Sequence, residues 1–114
     1  MDTVEALLDQ ARPQLVRLSP QEALDAARGT AVLVDIRSES QRETDGVIPI
    51  ARYVARNVLE WRLDPSSEHR DPELARRGRK VNLICDEGYQ SSLTAAIARR
   101  LGVDATDVIG GLQA

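Results

Sequence analysis

Hydrophobic and polar positions along the chain fall into short blocks that switch between two periods. Residues Ala31 to Ile36 and Lys80 to Cys85 are nearly continuous aliphatic runs, interrupted only by Asp35, Asn82 and the leading Lys80, and each leads into polar, turn-prone residues. A strand packed on both faces reads this way, because neither side of it meets water. Both runs are therefore predicted at the centre of a sheet. Helical spacing takes over elsewhere. Val4, Leu7, Leu8 and Ala11 share one face of a short N-terminal helix that Asp2 or Thr3 caps and Pro13 stops.

Ser19, Pro20 and Glu22 form a helix start, with proline in the first position and the glutamate closing a capping box; Gly29 ends that helix. Further short helices are predicted over Asn57 to Arg62 and near Pro72 to Arg77, the latter closed by Gly78. The polar stretch from Ser38 to Asp45 holds a helical turn or more, and Asp64 to Asp71 reads as a surface loop. After the second aliphatic run, Ser91 or Ser92 caps a helix whose Leu93, Ala96, Ile97 and Leu101 lie on one face, with Gly102 just past its basic end. Short strands over Leu15 to Leu18, around Ala51 to Val54 and over Asp107 to Ile109 complete the pattern. Strands alternating with helices, without a hairpin signal, imply right-handed crossovers. The expected architecture is α/β, with a central parallel sheet of about five strands and helices on both faces.

A length of 114 residues suits one core, and 42% hydrophobic with 29% charged residues is ordinary for a soluble domain. The absence of Phe leaves aliphatic side chains to fill the interior. A formal charge of -3 gives no general attraction to nucleic acid or to an anionic membrane surface. The local basic run of Arg76, Arg77, Arg79 and Lys80 reads as a solvated helix end and strand entry. No apolar stretch is long enough to span a bilayer and the first residues lack a signal-peptide pattern, so the expected location is cytoplasmic. A single cysteine, Cys85, excludes an intramolecular disulfide, a CxxC pair and a thiolate zinc cluster. The one histidine, His69, has no second ligand at a fitting spacing, and neither metal nor cofactor is expected.

Cys85 stands at the carboxyl end of a predicted central strand, directly before a loop and a helix start. Ligands of parallel sheets bind at that edge. Consecutive backbone N–H groups between strand and helix can also point at a common centre and hold negative charge. Two readings stay open on these grounds: a nucleophile in an anion-binding loop, or a small buried hydrophobe that finishes its strand, the usual fate of a free cysteine. Gly88 likewise fits either a sulfur loop or a plain turn of positive φ.

The residues Cys85 to Ser92 resemble the active loop of rhodanese domains, in which a cysteine precedes a tight loop with a glycine and a serine at the helix start. Val34 to Arg37 is similar to the Asp-x-Arg end of that family's first central strand, Gly46 to Pro49 to its Gly-His-Ile-Pro segment, and Val108 to Gly111 to its closing Gly-Gly turn. Four fragments in the right order outweigh any one of them. The resemblance divides the chain into an N-terminal helical extension, residues 1–14, and a single rhodanese-like domain, residues 15–114. It implies a sulfurtransferase that carries sulfane sulfur as a persulfide on Cys85. The donor would be thiosulfate or a small-molecule or protein persulfide, and the acceptor cyanide or a thiol. The loop amides of Asp86, Glu87, Gly88, Tyr89, Gln90 and Ser91 would bind the sulfur. Arg37 and Arg62 would bind substrate or brace the loop.

A protonated thiol is a poor nucleophile, so such a loop must favour the thiolate. Asp86 and Glu87 oppose this: a carboxylate about 6 Å away costs ~0.7 kcal/mol at a water-like dielectric and ~3 kcal/mol at an effective value of 20. Both side chains are expected to point into solvent while their amides face the sulfur. The loop also lacks the Lys or Arg common in the family, which disfavours thiosulfate and raises the alternative of a rhodanese-like binding or regulatory module with weak turnover. A cysteine phosphatase needs an arginine six residues after its nucleophile, and that position is Ser91.

Overall fold

The computed structural model describes residues 2–76 and 78–114. Four strands, β1 (Val32–Asp35), β2 (Arg52–Tyr53), β3 (Lys80–Ile84) and β4 (Asp104–Asp107), form one parallel sheet in the order β2-β1-β3-β4. The two aliphatic runs lie at its centre, paired from Val32 with Val81 to Asp35 with Ile84. Helices α1 (Val4–Ala11), α2 (Pro20–Ala27), α3 (Glu39–Asp45), α4 (Leu59–Leu63) and α5 (Gln90–Arg100) surround it. Alternate strand residues face opposite sides. Val34, Val81, Leu83 and Cys85 join Leu59 and Leu63 of α4 and Ala95 and Ala98 of α5 in the larger core. On the opposite face Leu33 and Ile84 pack with Ala23 of α2 and with Val108.

Local chemistry sets the helix starts. At α2 the Ser19 hydroxyl accepts from the Glu22 N–H at 3.1 Å, and the Glu22 carboxylate accepts from the Ser19 N–H at 2.9 Å. Those contacts hold the Glu22 carboxyl below the usual carboxylate range. The same device, built from Ser38 and Gln41, turns the polar stretch after β1 into α3.

Several expectations are corrected. The first of the expected five strands is reduced to a single parallel bridge between Leu18 and Val108, held by the Leu18 N–H on the Asp107 carbonyl and the Ile109 N–H on the Leu18 carbonyl. Helix α2 begins at Pro20, two residues later, so the segment has no length left for a ladder. The last strand begins and ends earlier than expected. Residues 72–74 form turns, with Leu74, 1% exposed, as their single apolar anchor, and the helix expected near Pro72 to Arg77 is absent among the described residues; Arg77 itself lies outside them. Helix α5 buries Ser91, Ser92, Thr94, Ala95 and Ala98 and leaves Ile97 exposed, so its fully buried positions are small side chains, whereas of the expected apolar face Leu101, just past the helix, packs on the larger core. Short side chains let the helix lie close to the strands.

Candidate functional site

Cys85 follows β3 directly, and α5 begins at Gln90, so residues 85–89 make the whole turn from strand to helix. The Gly88 N–H donates to Cys85 Sγ at 3.2 Å and the Ser91 N–H at 3.4 Å. The thiol itself faces the Ser91 hydroxyl at 3.3 Å. Asp86, Glu87, Tyr89 and Gln90 contribute no amide to the sulfur; Asp86, Glu87, Tyr89 and Gln90 instead line, with Gln41 and Cys85, a recess of about 230 Å³ that opens over it. Cys85 as a residue is 4% exposed and is one of the residues lining that recess.

The C-terminal turn explains the direction of the loop's peptides. The Leu112 N–H donates to the Cys85 carbonyl at 3.0 Å and the Gln113 N–H to the Asp86 carbonyl at 3.1 Å, so both carbonyls are taken up by the C-terminal turn. A Cβ on Gly111 would lie 2.5 Å from the Cys85 oxygen, and one on Gly88 2.7 Å from the Gly110 nitrogen. Gly88 also has φ +85°, a conformation costly to any residue with a side chain. Loop and turn are in backbone contact, and only glycine fits between them.

Behind the loop stands a side chain that sequence reasoning missed. Asp107, at the end of β4 and 0% exposed, accepts from the Ser91 hydroxyl at 2.8 Å, the Ser92 hydroxyl at 2.7 Å, and Arg17 through Nε at 2.8 Å and Nη2 at 3.1 Å. Ser91 has one proton and two neighbours that can accept it. While Cys85 is a thiol, its S–H donates to Ser91 and Ser91 donates to Asp107. With an anionic sulfur, Asp107 keeps its other donors and Ser91 is free to turn its proton to the sulfur. The paired serines, expected as helix caps, serve this cluster instead, and the cap position falls on Tyr89. The only signal in the sequence was an acidic residue at the end of a buried strand.

The acidic residues at the mouth differ from each other. Glu87 is exposed as expected, whereas Asp86 is half-buried and tied to the Gln113 amide at 2.9 Å, an amide that also reaches Asp45. Arg37 is 1% exposed; it donates to Asp35 through Nε at 3.0 Å and Nη2 at 2.9 Å, and to the Gly46 carbonyl at 2.8 Å. Its hydrogen bonds with Asp35 raise its pKa against the opposing effect of burial, with Asp35, Asp45 and Asp86 adding attraction. Arg37 thus braces the segment between β1 and Gly46. Arg62 donates to the His69 carbonyl on an exposed loop and does not line the sulfur recess.

Among the described residues, no group of three or more His, Cys, Asp or Glu side chains is placed to hold a metal ion. No helix among them is long and apolar enough to cross a membrane.

The family model of the rhodanese-like domain matches residues 19–114. The chain belongs to the rhodanese-like family. Among solved structures, this rhodanese-like chain is similar to a protein of unknown function from Rhodopseudomonas palustris described as a possible tyrosine phosphatase, with 29% identity, a TM-score of 0.88, and 97% of this chain and 86% of that one covered. It also resembles a rhodanese homologue from Thermus thermophilus, at 23% identity and TM-score 0.60 with 86% and 98% covered. A human single-domain sulfurtransferase aligns at 24% identity and TM-score 0.64, with 85% and 91% covered. No curated protein matches at a significant level.

Proposed function

We propose that this rhodanese-like domain takes up sulfane sulfur on Cys85. The Cys85 thiolate attacks the outer sulfur of a persulfide R–S–SH; a sulfur–sulfur bond to Cys85 forms as the bond to R–S breaks, and R–S⁻ leaves. An acceptor thiolate or cyanide then attacks the outer sulfur, and the Cys85 thiolate is released. The observation that carries this reading is the convergence of the Gly88 and Ser91 N–H groups on Sγ of a residue that lines a recess. Hydrogen bonds to an anion are stronger than those to a neutral group, so the arrangement favours a negatively charged sulfur. Thiosulfate is a poor donor here, because Asp86 and Glu87 stand at the mouth of the recess.

The phosphatase activity given only as possible for the Rhodopseudomonas protein is not supported in this chain. Ser91, not arginine, stands six residues after Cys85, and its hydroxyl is engaged with Asp107. A second reading, a binding or regulatory module without turnover, is favoured by the 4% exposure of Cys85 and the acidic mouth.

Intact mass spectrometry after incubation with an organic persulfide, and separately with thiosulfate, distinguishes them. The carrier gains the mass of one sulfur atom from the persulfide, Cys85→Ala gains none, and cyanide removes the adduct from the wild type. No adduct with either donor leaves the binding module.

A further inference from the structure

The segment that precedes the family-matched residues reaches the sulfur loop. Arg12, just after α1, donates through Nη2 to the Gly88 carbonyl at 3.0 Å and through Nε to the Ser92 hydroxyl at 3.2 Å. Its guanidinium lies 5.7 Å from the centroid of the Tyr89 ring. Arg17 donates to the same Gly88 carbonyl at 3.1 Å while pairing with Asp107. Gly88 is therefore gripped on both sides, by two guanidinium groups at its carbonyl and by Cys85 Sγ at its N–H. Arg17 is neutralised by Asp107, whereas Arg12 pairs with no carboxylate among the described residues.

We propose that Arg12 and Arg17 are positioning residues of the sulfur site: together they hold the Gly88 carbonyl, and with it the turn whose Gly88 N–H meets Cys85, and Arg12 supplies the positive charge that the acidic loop lacks. The proposal deepens the reading of Cys85 as a sulfur carrier and rests on it. It also makes the residues before the family-matched segment part of the site instead of an appendage. Arg12 touches Gly88, Ser92 and Tyr89 of the loop and the start of α5, and its charge is opposite to that of Asp86 and Glu87. The clamp needs the forked donor of arginine, while the charge needs only a cation.

Arg12→Gln and Arg12→Lys separate the two roles. Initial rates of Cys85 alkylation are measured with neutral iodoacetamide and anionic iodoacetate at one pH, alongside amide hydrogen exchange at Gly88 and a thermal melt to confirm the fold. With the charge removed, Arg12→Gln lowers the ratio of iodoacetate to iodoacetamide rates by roughly two- to five-fold, the effect of one partly screened unit charge. Arg12→Lys retains the wild-type ratio. Both variants speed exchange of the Gly88 amide, and Arg17→Lys does so too. A ratio unchanged in Arg12→Gln, or Gly88 exchange unchanged in all three variants, overturns the proposal. None of these readouts requires sulfur transfer. A wild type that takes up no sulfur, yet shows these changes, loses the carrier reading and keeps the arm as part of the loop.

Discussion

Replacing Asp107 with Asn tests whether the cluster behind the loop is what holds the sulfur site together. The change is nearly isosteric, yet it removes the charge that four hydrogen bonds converge on, two from Arg17 and one each from Ser91 and Ser92. The new amide nitrogen would face donors on one side, and Arg17 would lose its counter-ion. Breaking a fully buried pair by removing one partner costs about 3–5 kcal/mol. The Arg17 side chain is 16% exposed and can recover part of its hydration, which brings the estimate to about 2–4 kcal/mol. With an unfolding entropy of about 2.1 cal/mol/K per residue, 114 residues give roughly 240 cal/mol/K, and Tm falls by about 8–17 °C. A domain of ordinary stability, about 5–15 kcal/mol, remains folded at room temperature after that loss. Thermal unfolding followed by circular dichroism gives the Tm, and sulfur uptake on the folded variant gives the site effect, expected as a clear decrease in rate. Combining Asp107→Asn with Arg17→Gln should cost less than the two single changes added, since the uncompensated charge is then gone. A Tm within about 3 °C of the wild type, or fully additive costs, would refute the account of Asp107 as the anchor.

Other perturbations follow from the same geometry. Gly88→Ala places a Cβ 2.7 Å from the Gly110 nitrogen at φ +85°, so it should cost about 2–4 kcal/mol and abolish sulfur uptake while the far end of the sheet stays folded; unimpaired uptake would contradict the backbone contact. Glu87→Arg exchanges an exposed negative charge at the mouth for a positive one, and the Michaelis constant for thiosulfate should fall roughly three- to ten-fold at low salt, with an unchanged value discarding the electrostatic explanation of donor choice. The Glu22 carboxyl is held below its ordinary range by the Ser19 N–H, so its contribution to stability is present above the ordinary carboxylate range and is lost as the pH falls through its lowered folded-state value. Glu22→Gln keeps the capping geometry without the titration, so Tm measured against pH should fall less steeply on the acid side than in the wild type; parallel curves would exclude the effect.

The parts of the fold that hydrophobic patterning governs were legible in the sequence. The runs at Ala31 to Ile36 and Lys80 to Cys85 could hardly be anything but strands covered on both faces, and β1 and β3 lie side by side at the sheet centre. Ser19 and Glu22 announced α2 through a local hydrogen-bond pair that needs no tertiary information. Legibility failed where the deciding contact was distant. Leu18 has strand neighbours in sequence, but its partner Val108 is 90 residues away and admits only one bridge. Ser91 and Ser92 fit a helix cap by local rule, and a buried carboxylate on β4 drew them inward. Helix α5 carries larger apolar residues on one face, yet packs with its small residues against the strands, because closeness to the sheet outweighs the area that Ile97 would bury. The loop cysteine was visible; Arg12 and Arg17 carried no mark to separate them from other surface arginines.

The buried state of Cys85 is best understood through what surrounds it. Cys85 packs within the larger core, yet its Sγ meets two amides and a hydroxyl and the residue lines an open recess. Each donor is fixed from outside the loop. The Gly110 to Gly111 turn takes up the Cys85 and Asp86 carbonyls through its following amides, the arm grips the Gly88 carbonyl, and Asp107 holds the Ser91 hydroxyl. The supports are linked, since Arg17 holds the Gly88 carbonyl and pairs with Asp107. In the proposed reading, the Gly88 and Ser91 N–H groups and the Ser91 hydroxyl are the groups that would meet a negatively charged sulfur. Low exposure of the cysteine then follows from tight convergence of the cradle, and the test of that cradle is whether weakening any one support slows the chemistry at Sγ without unfolding the sheet.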